Sequence, residues 1–425
     1  MKKLYVLIIT LACTLYVQAQ TARDDFRRDT HYSASNYLAY PAPTQTELTP
    51  APEGKKPFYI SHYGRHGSRY LINKDEYNQP YEILTAADKA GKLTPLGQDV
   101  LRRVTLLRDE AAGRLGELTP LGAQQHRDIA RRMFERFPEV FEGKANIDAK
   151  STVVIRCILS MENELMQLTN MNPLLHVLHD ASQHDMWYMN LTDKSLFEQR
   201  YSVEAQAAYY NFMEKHRDYK RAMGALFNDE DYMDTQLDVW KLNNYLFKLA
   251  SNLQSSELHK QITLYDLFTD DEIYANWAII NARWYIDYAA CPLNGARQPY
   301  SQRNLLRRII EEADSCIALP KPGATLRFGH ETMVLPLTCL LELDGYGLQT
   351  DDLESLDSKG WRAYKIFPMA ANLQFIFYRK DAADKDVLVK VLLNENEAQL
   401  PISSSTEPYY KWSEVRDYYL KKLEK

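Results

Sequence analysis

The stretch Pro57-Phe-Tyr-Ile-Ser-His-Tyr-Gly-Arg-His-Gly-Ser-Arg69 decides how this chain is read. Its first half is apolar and aromatic, the text of a buried strand, and its glycines turn that strand into a loop. In the loop, Arg65 and Arg69 flank His66. Forked guanidinium groups grip a tetrahedral anion, and their charge keeps an imidazole between them neutral. A neutral imidazole beside bound phosphate is a competent nucleophile. Gly67 lets the backbone approach closely. Taken alone, the five residues 65–69 read equally well as a basic surface loop whose arginines pair with acids.

Working outward, residues 151–159 (STVVIRCIL) predict a second strand with a lone arginine, Arg156, near its end. Strand text returns at 324–329 and is followed by a helix over about 332–343, then by strands at 372–379 and 387–393. Leu-Thr-Pro-Leu-Gly occurs twice, at 93–97 and 118–122. Each copy reads as a helix start with Thr as N-cap and Pro in the first turn, not as a repeat. Between 173 and 300 the text is polar, aromatic and helical in spacing, as at 203–226 and 272–289. Strands and helices alternating on both sides of a helical block predict an α/β sheet domain (20–172 and 301–425) interrupted by a mostly helical insertion (173–300).

The second chemical signal is Phe328-Gly-His-Glu-Thr332, directly after a strand and opening a helix. A helix N-terminus favours anions, so His330 is placed to donate to the same phosphoryl group, and Glu331 to protonate a departing alcohol oxygen. An alkoxide is a poor leaving group, and general acid catalysis is worth ~10²–10⁴-fold. Arg156 is the third piece. A charge at the end of an apolar run is expensive unless it meets an opposite charge, either a structural carboxylate or the phosphate already inferred.

Together these pieces resemble the histidine acid phosphatases, clade 2 of the histidine phosphatase superfamily, and within it the multiple inositol polyphosphate phosphatases and bacterial phytases. The family's R-H-G-x-R motif matches Arg65, His66, Gly67 and Arg69, which implies a phosphohistidine on His66 with both arginines on the phosphate. Arg156 resembles the later phosphate-binding arginine by position and setting. The stretch from Leu118 through His126 to Arg127, and Leu392-Leu-Asn-Glu-Asn-Glu397, also resemble inositol phosphatase sequences. The resemblance implies a phosphoglycerate-mutase-like α/β domain and is thin in the helical insertion. One departure stands out. Inositol polyphosphatases usually read His-Ala-Glu and phytases His-Asp-Thr, whereas this chain reads His330-Glu331-Thr332. Glu331 therefore occupies the phytase acid position with a side chain one methylene longer, and it is the expected proton donor.

The rest of the sequence narrows the setting. The chain has 425 residues, 45% of them hydrophobic and 25% charged, enough for two domains or one large fold with an insertion. Its net charge of −6 argues against a nucleic-acid partner, while a local arginine cluster still suits a small phosphorylated substrate. Lys2 and Lys3, an apolar stretch at 4–16 and Val17-Gln-Ala19 predict a removable secretory leader over 1–19, hence a secreted or periplasmic protein. Lipid attachment at Cys13 is the alternative. No later stretch reaches the ~20 apolar residues of a membrane span. Cys157, Cys291, Cys316 and Cys339 allow three full pairings; Cys291 with Cys316 is favoured weakly, against plain buried thiols.

No cofactor or metal is expected. His62 and His66 have metal-ligand spacing, but they follow strand text beside a repelling arginine. His176, His179 and His184 read as surface or capping residues, and the aromatic run 285–288 as core. The reading is an exported phosphomonoesterase for inositol phosphates. The alternatives are a broader acid phosphatase for sugar phosphates and a phosphate-binding relative without turnover; a mutase is disfavoured by the leader and the insertion.

Overall fold

The structure, a computed structural model, describes residues 21–424. The expected leader and Cys13 lie outside the described residues. Eight strands form one mixed sheet: β1 (Lys56–Arg65), β2 (Asn146–Ser151), β3 (His176–Asp180), β4 (Gly323–Gly329), β5 (Asn372–Arg379), β6 (Leu388–Leu393), β7 (Asn396–Ala398) and β8 (Tyr410–Lys411). The order is β3-β2-β4-β1-β5-β6-β7, with β8 paired to β6. The four strands β3, β2, β4 and β1 run parallel, and β5 and β6 turn antiparallel. The helices used below are α1 (Pro95–Glu110), α2 (Pro120–Arg136), α3 (Ile155–Met171), α4 (Val203–His216), α5 (Val239–Asn252), α6 (Asp270–Tyr288), α7 (Arg303–Ile317) and α8 (Glu331–Leu341).

The period of a strand divides its residues between two cores. Along β1, Tyr59 and Tyr63 join the larger cluster, with α5, α6, α7 and α8, while Ile60 joins the smaller, with α2 and α3. Helices therefore cover both faces, as a largely parallel sheet requires. The strands expected at 57–64, 324–329, 372–379 and 387–393, and the helix expected at 332–343, form within a residue or two of those bounds. Residues 173–300 hold α4, α5 and α6, and also β3, which pairs with β2 at the sheet edge. No helix among the described residues is long and apolar enough to cross a membrane.

Two expectations are corrected. Residues 151–159 do not form a strand: β2 ends at Ser151 and α3 begins at Ile155. The apolar run misled because Val153 and Ile155 are exposed, at 38% and 72%. The buried positions Cys157, Met161, Glu164, Leu165 and Leu168 recur at helical spacing. Arg156 thus stands in the first turn of a helix. The favoured Cys291–Cys316 bridge is also absent, and all four described cysteines are free. Cys316 lies against Tyr59 and Thr325 of the sheet, whereas Cys291 is buried beyond α6 beside the backbone of Leu293 and Asn294.

Both Leu-Thr-Pro-Leu-Gly copies start helices as read. Thr94 and Thr119 accept from the backbone N–H of Gly97 and Gly122, with Pro95 and Pro120 opening α1 and α2. They share a use that the sequence does not reveal: each receives a crossing chain segment. Thr94 donates through backbone N–H and hydroxyl to the Leu226 and Ala225 carbonyls, and Thr119 donates through both to Ser68 O. A Cβ on Gly97 would stand 2.2 Å from Leu226 O, and one on Gly122 2.2 Å from Ser68 O.

Candidate active site

Why the three chemical pieces meet follows from strand order. β1 and β4 are parallel neighbours with Arg65 opposite Gly329, so His66 and His330 leave the sheet side by side. β2 is the next parallel neighbour, with Ser151 opposite Phe328, and it feeds the turn into α3 and Arg156. The site therefore lies at the carboxyl ends of adjacent parallel strands, beside the β1/β5 boundary where the sheet changes direction.

His66 is wholly buried, and its ring centroid lies 5.8 Å from that of His330. Its Nδ1 stands 2.9 Å from the Gly67 carbonyl. A carbonyl only accepts, so the neutral ring carries its proton on Nδ1 and keeps a lone pair on Nε2. Burial is the main cause that holds the His66 pKa well below the usual imidazole range; Arg65 and Arg156 add to it, against the pull of Glu331. Desolvation, and not the flanking arginines expected to lead, is thus the stronger effect. His330 is pushed down to about 4, again chiefly by burial. Its Nε2 lies 3.2 Å from Thr152 Oγ1.

Arg65 is fixed through Nη1, which donates to the Asn36 and Phe367 carbonyls at 2.6 and 2.8 Å. Arg69 donates through Nη1 to Tyr70 O and lies 5.6 Å from the Tyr37 ring centroid. Asn252, at the end of α5, donates to Arg69 O at 3.1 Å. Arg156 is close enough for its charge to act on Arg65, His66 and His330. These groups keep unused hydrogen-bonding capacity: Arg65 Nη2, Arg69 Nε and Arg156 Nε are buried donors without a hydrogen-bond partner, and His66 Nε2 is buried with no donor on its lone pair. Orphan guanidinium donors beside one imidazole fit an anion of several oxygens.

Glu331, the first residue of α8, reaches into this cluster. Its Oε2 lies 3.1 Å from Arg65 Nε and 3.5 Å from His66 Nε2, and Oε1 lies 4.0 Å from Arg69 Nη2. Burial pushes its carboxyl up, but the guanidinium groups of Arg65 and Arg69 outweigh that and hold it well below the usual carboxylate range. Among the described residues, His66, His330 and Glu331 alone could gather around a cation. The guanidinium groups of Arg65, Arg69 and Arg156 make the same space favour an anion.

Every residue singled out in the sequence, Arg65, His66, Gly67, Arg69, Arg156, His330 and Glu331, is thus brought to one place. His62 is not: it lies in β1 with its ring 5.4 Å from Phe328, burial lowering it to about 3. His176, His179 and His184 are exposed. Thr152 and Tyr37 carry no signal in the sequence. Gln125, which holds the loop, stands in a stretch read only for a helix start and for its resemblance to inositol phosphatases, and Ser160 lies just beyond the stretch read as a strand.

The loop 66–69 is pressed against α2. An added Cβ at Gly67 would meet Gly122 O at 2.4 Å. Gly122→Ala should therefore lower stability by about 1–3 kcal/mol, the usual cost of overpacking. Activity should fall with it, because the displaced backbone carries His66. Thermal denaturation beside turnover checks this, and an unchanged midpoint would contradict the contact.

A buried imidazole beside guanidinium groups at the carboxyl edge of an α/β sheet makes a setting for a small anion. The chain belongs to branch 2 of the histidine phosphatase superfamily, whose family model matches residues 64–394. No protein with a curated description matches it in sequence. Among solved structures it is similar to the Bifidobacterium longum multiple inositol polyphosphate phosphatase in complex with inositol hexasulfate: TM-score 0.76, 17% identity, 91% of this chain and 97% of that one covered. The phosphate complex of that protein gives 0.76 at 16% identity, over 92% and 98% of the two chains. A phytase from D. castellii gives 0.66 at 14% identity, over 92% and 85%.

Proposed function

We propose that this protein is a phosphomonoesterase acting on inositol polyphosphates of the phytate type through a phosphohistidine. The observation that carries the reading is the set of orphan buried donors around the free Nε2 of His66. Nε2 attacks phosphorus, the ester P–O bond breaks, and the alkoxide takes its proton from Glu331. Arg65, Arg69, Arg156 and His330 hold the phosphoryl oxygens. In the second half, water attacks phosphorus, Glu331 takes the proton of that water, and the P–N bond breaks to restore His66.

Glu331 must be protonated to act first, yet the arginines hold it as a carboxylate in the free protein. Bound phosphate resolves this. It takes over Arg65 and Arg69 and sets a second negative charge beside the carboxylate, and both changes raise the affinity of Glu331 for a proton. The inositol substrate class is supported by the similarity to one protein, the Bifidobacterium longum phosphatase, seen in complex with inositol hexasulfate and with phosphate. Export is part of the proposal and rests on the basic and apolar residues 1–19; a mature amino terminus at Gln20 is its check.

The test is release of inorganic phosphate from phytate by the purified protein, with and without EDTA. Release unaffected by EDTA supports the proposal, and binding without release favours a non-enzymatic relative. Release from sugar phosphates but not from phytate favours the broader acid phosphatase. The pH profile is a second check. The His66 imidazole is neutral well below its ordinary pKa, so kcat/KM should not fall between pH 6.5 and 5. A tenfold loss per unit in that window would mean that the nucleophile titrates as an ordinary histidine.

A further inference from the structure

We infer that Gln125 and Ser160, neither of which contacts the reacting atoms, are positioning residues that lock the tautomer and aim of the nucleophile; this rests on the role proposed for His66. The two peptide units after His66 are pinned separately. The first donates through Gly67 N–H to Ser160 Oγ at 3.1 Å. The second donates through Ser68 N–H to Gln125 Oε1 at 2.9 Å, and its carbonyl, Gly67 O, is the acceptor for His66 Nδ1. Gln125 closes a ring by donating from Nε2 to Ser68 Oγ at 2.9 Å. The amide thus reads both donor and acceptor of one serine, and the plane that carries the tautomer-fixing carbonyl cannot rotate.

Both gripping side chains are buried and come from different helices, Gln125 from α2 and Ser160 from α3. The helices are themselves braced by His126, one residue beyond Gln125. Its Nδ1 lies 2.8 Å from Oε1 of Glu164, one turn beyond Ser160, and both side chains are buried. Ser160 has its own orientation fixed, because its hydroxyl proton goes to Arg156 O at 2.8 Å. Its lone pairs therefore face Gly67 N–H, and the backbone turn that presents Arg156 is tied to the loop that presents His66. A helix pair held at fixed spacing sets the loop more rigidly than the loop's own residues can.

Losing this hold frees the Gly67–Ser68 peptide to turn. His66 then loses its Nδ1 acceptor, and Nε2 carries the proton in part of the molecules, where it cannot attack. Two of the three arginines are anchored elsewhere, Arg65 on Asn36 and Phe367 and Arg69 on Tyr70 and Asn252, and Arg156 stands in a helix turn that Gln125 does not touch, so phosphate binding should survive the loss of Gln125.

The experiment compares full-length wild type with Gln125→Leu, Gln125→Glu, Ser160→Ala and Ser160→Thr. The readouts are kcat and KM on an aryl phosphate, the inhibition constant of inorganic phosphate, and the ¹⁵N imidazole shifts of His66. Gln125→Leu is expected to lose roughly 10- to 100-fold in kcat, with the phosphate constant within about twofold of wild type and a mixed-tautomer spectrum. Ser160→Ala should show a weaker version, and Ser160→Thr, which keeps the acceptor, should restore wild-type behaviour. Should Gln125→Leu fail to fold, Ser160→Ala carries the test, because it removes only the hydroxyl that accepts from Gly67 N–H and donates to Arg156 O, and Gln125→Glu, which keeps the acceptor for Ser68 N–H, should then retain the Nδ1–H tautomer. A pure Nδ1–H spectrum and wild-type kcat in folded Gln125→Leu and Ser160→Ala overturn the inference. Equal losses in kcat and phosphate affinity also overturn it, since they mean collapse of the loop. The spectra need no turnover. A wild type that releases no phosphate therefore defeats the proposed function, while the tautomer ratio in the variants still decides whether these two side chains hold the imidazole.

Discussion

His66→Ala should release no measurable phosphate from any monoester, an expected loss of at least about 10³-fold in kcat on alkyl and aryl substrates alike. The reason is geometric. In the proposed reaction Nε2 of His66 is the attacking atom; Glu331 beside it is gripped by Arg65, and His330 is engaged by Thr152. Water entering in place of the ring has no base aligned behind it for the first displacement. Phosphate should still bind, because Arg65 and Arg69 hang from carbonyls and not from the imidazole. Rapid quench of the wild type with labelled substrate should trap an acid-labile phosphoryl–nitrogen bond, absent from the variant. Turnover persisting in His66→Ala, or a label stable to acid, would remove His66 from the reaction.

Glu331→Gln has the second largest effect, and its pattern matters more than its size. An inositol alkoxide leaves only with a proton, so alkyl phosphate hydrolysis should drop ~10²–10⁴-fold. A nitrophenolate leaves without one, and the loss on that substrate should stay within about tenfold. The variant should also bind inorganic phosphate more tightly than wild type. In the free protein the Glu331 carboxylate sits 3.1 Å from Arg65 Nε and competes for the charge that phosphate needs, whereas an amide competes weakly. Equal losses on both substrates, or weaker phosphate binding, would assign Glu331 a structural part. The side chain is one methylene longer than the aspartate of the His-Asp-Thr pattern, and that length carries Oε2 to within 3.5 Å of Nε2.

The two predictions separate binding from chemistry, and the charges of the site explain why this is feasible. Arg65 is wholly buried and burial lowers it to about 10, still charged at neutral pH. Its charge is tolerated because two carbonyls and one carboxylate surround it. In the proposed cycle, exchanging that carboxylate for a phosphoryl group would keep the arginine compensated, so that entry of substrate and release of the proton donor would be one event.

Much of this was legible in the sequence because it is local. A strand that runs into Arg-His-Gly-Ser-Arg, a helix that opens on His-Glu-Thr, and two Thr-Pro helix starts are each written within a dozen neighbouring residues, where period, turn chemistry and capping decide the outcome. The failures are also local in cause. Val153 and Ile155 read as buried strand although they face solvent, and hydrophobicity alone does not tell a core from an exposed helix turn. What the sequence could not contain is adjacency. That β1 lies beside β4, and β4 beside β2, brings residues 66, 330 and 156 together, and it follows from how the whole sheet is covered on two faces. The same packing decides that Gln125 and Ser160 hold the loop, that Gly122 must lack a side chain, and that Cys291 and Cys316 stay apart. The chain's own text thus determined which groups can do phosphate chemistry and on which elements they ride. The tertiary structure decided their mutual distance and protonation, because both depend on burial and on contacts between residues far apart in the chain.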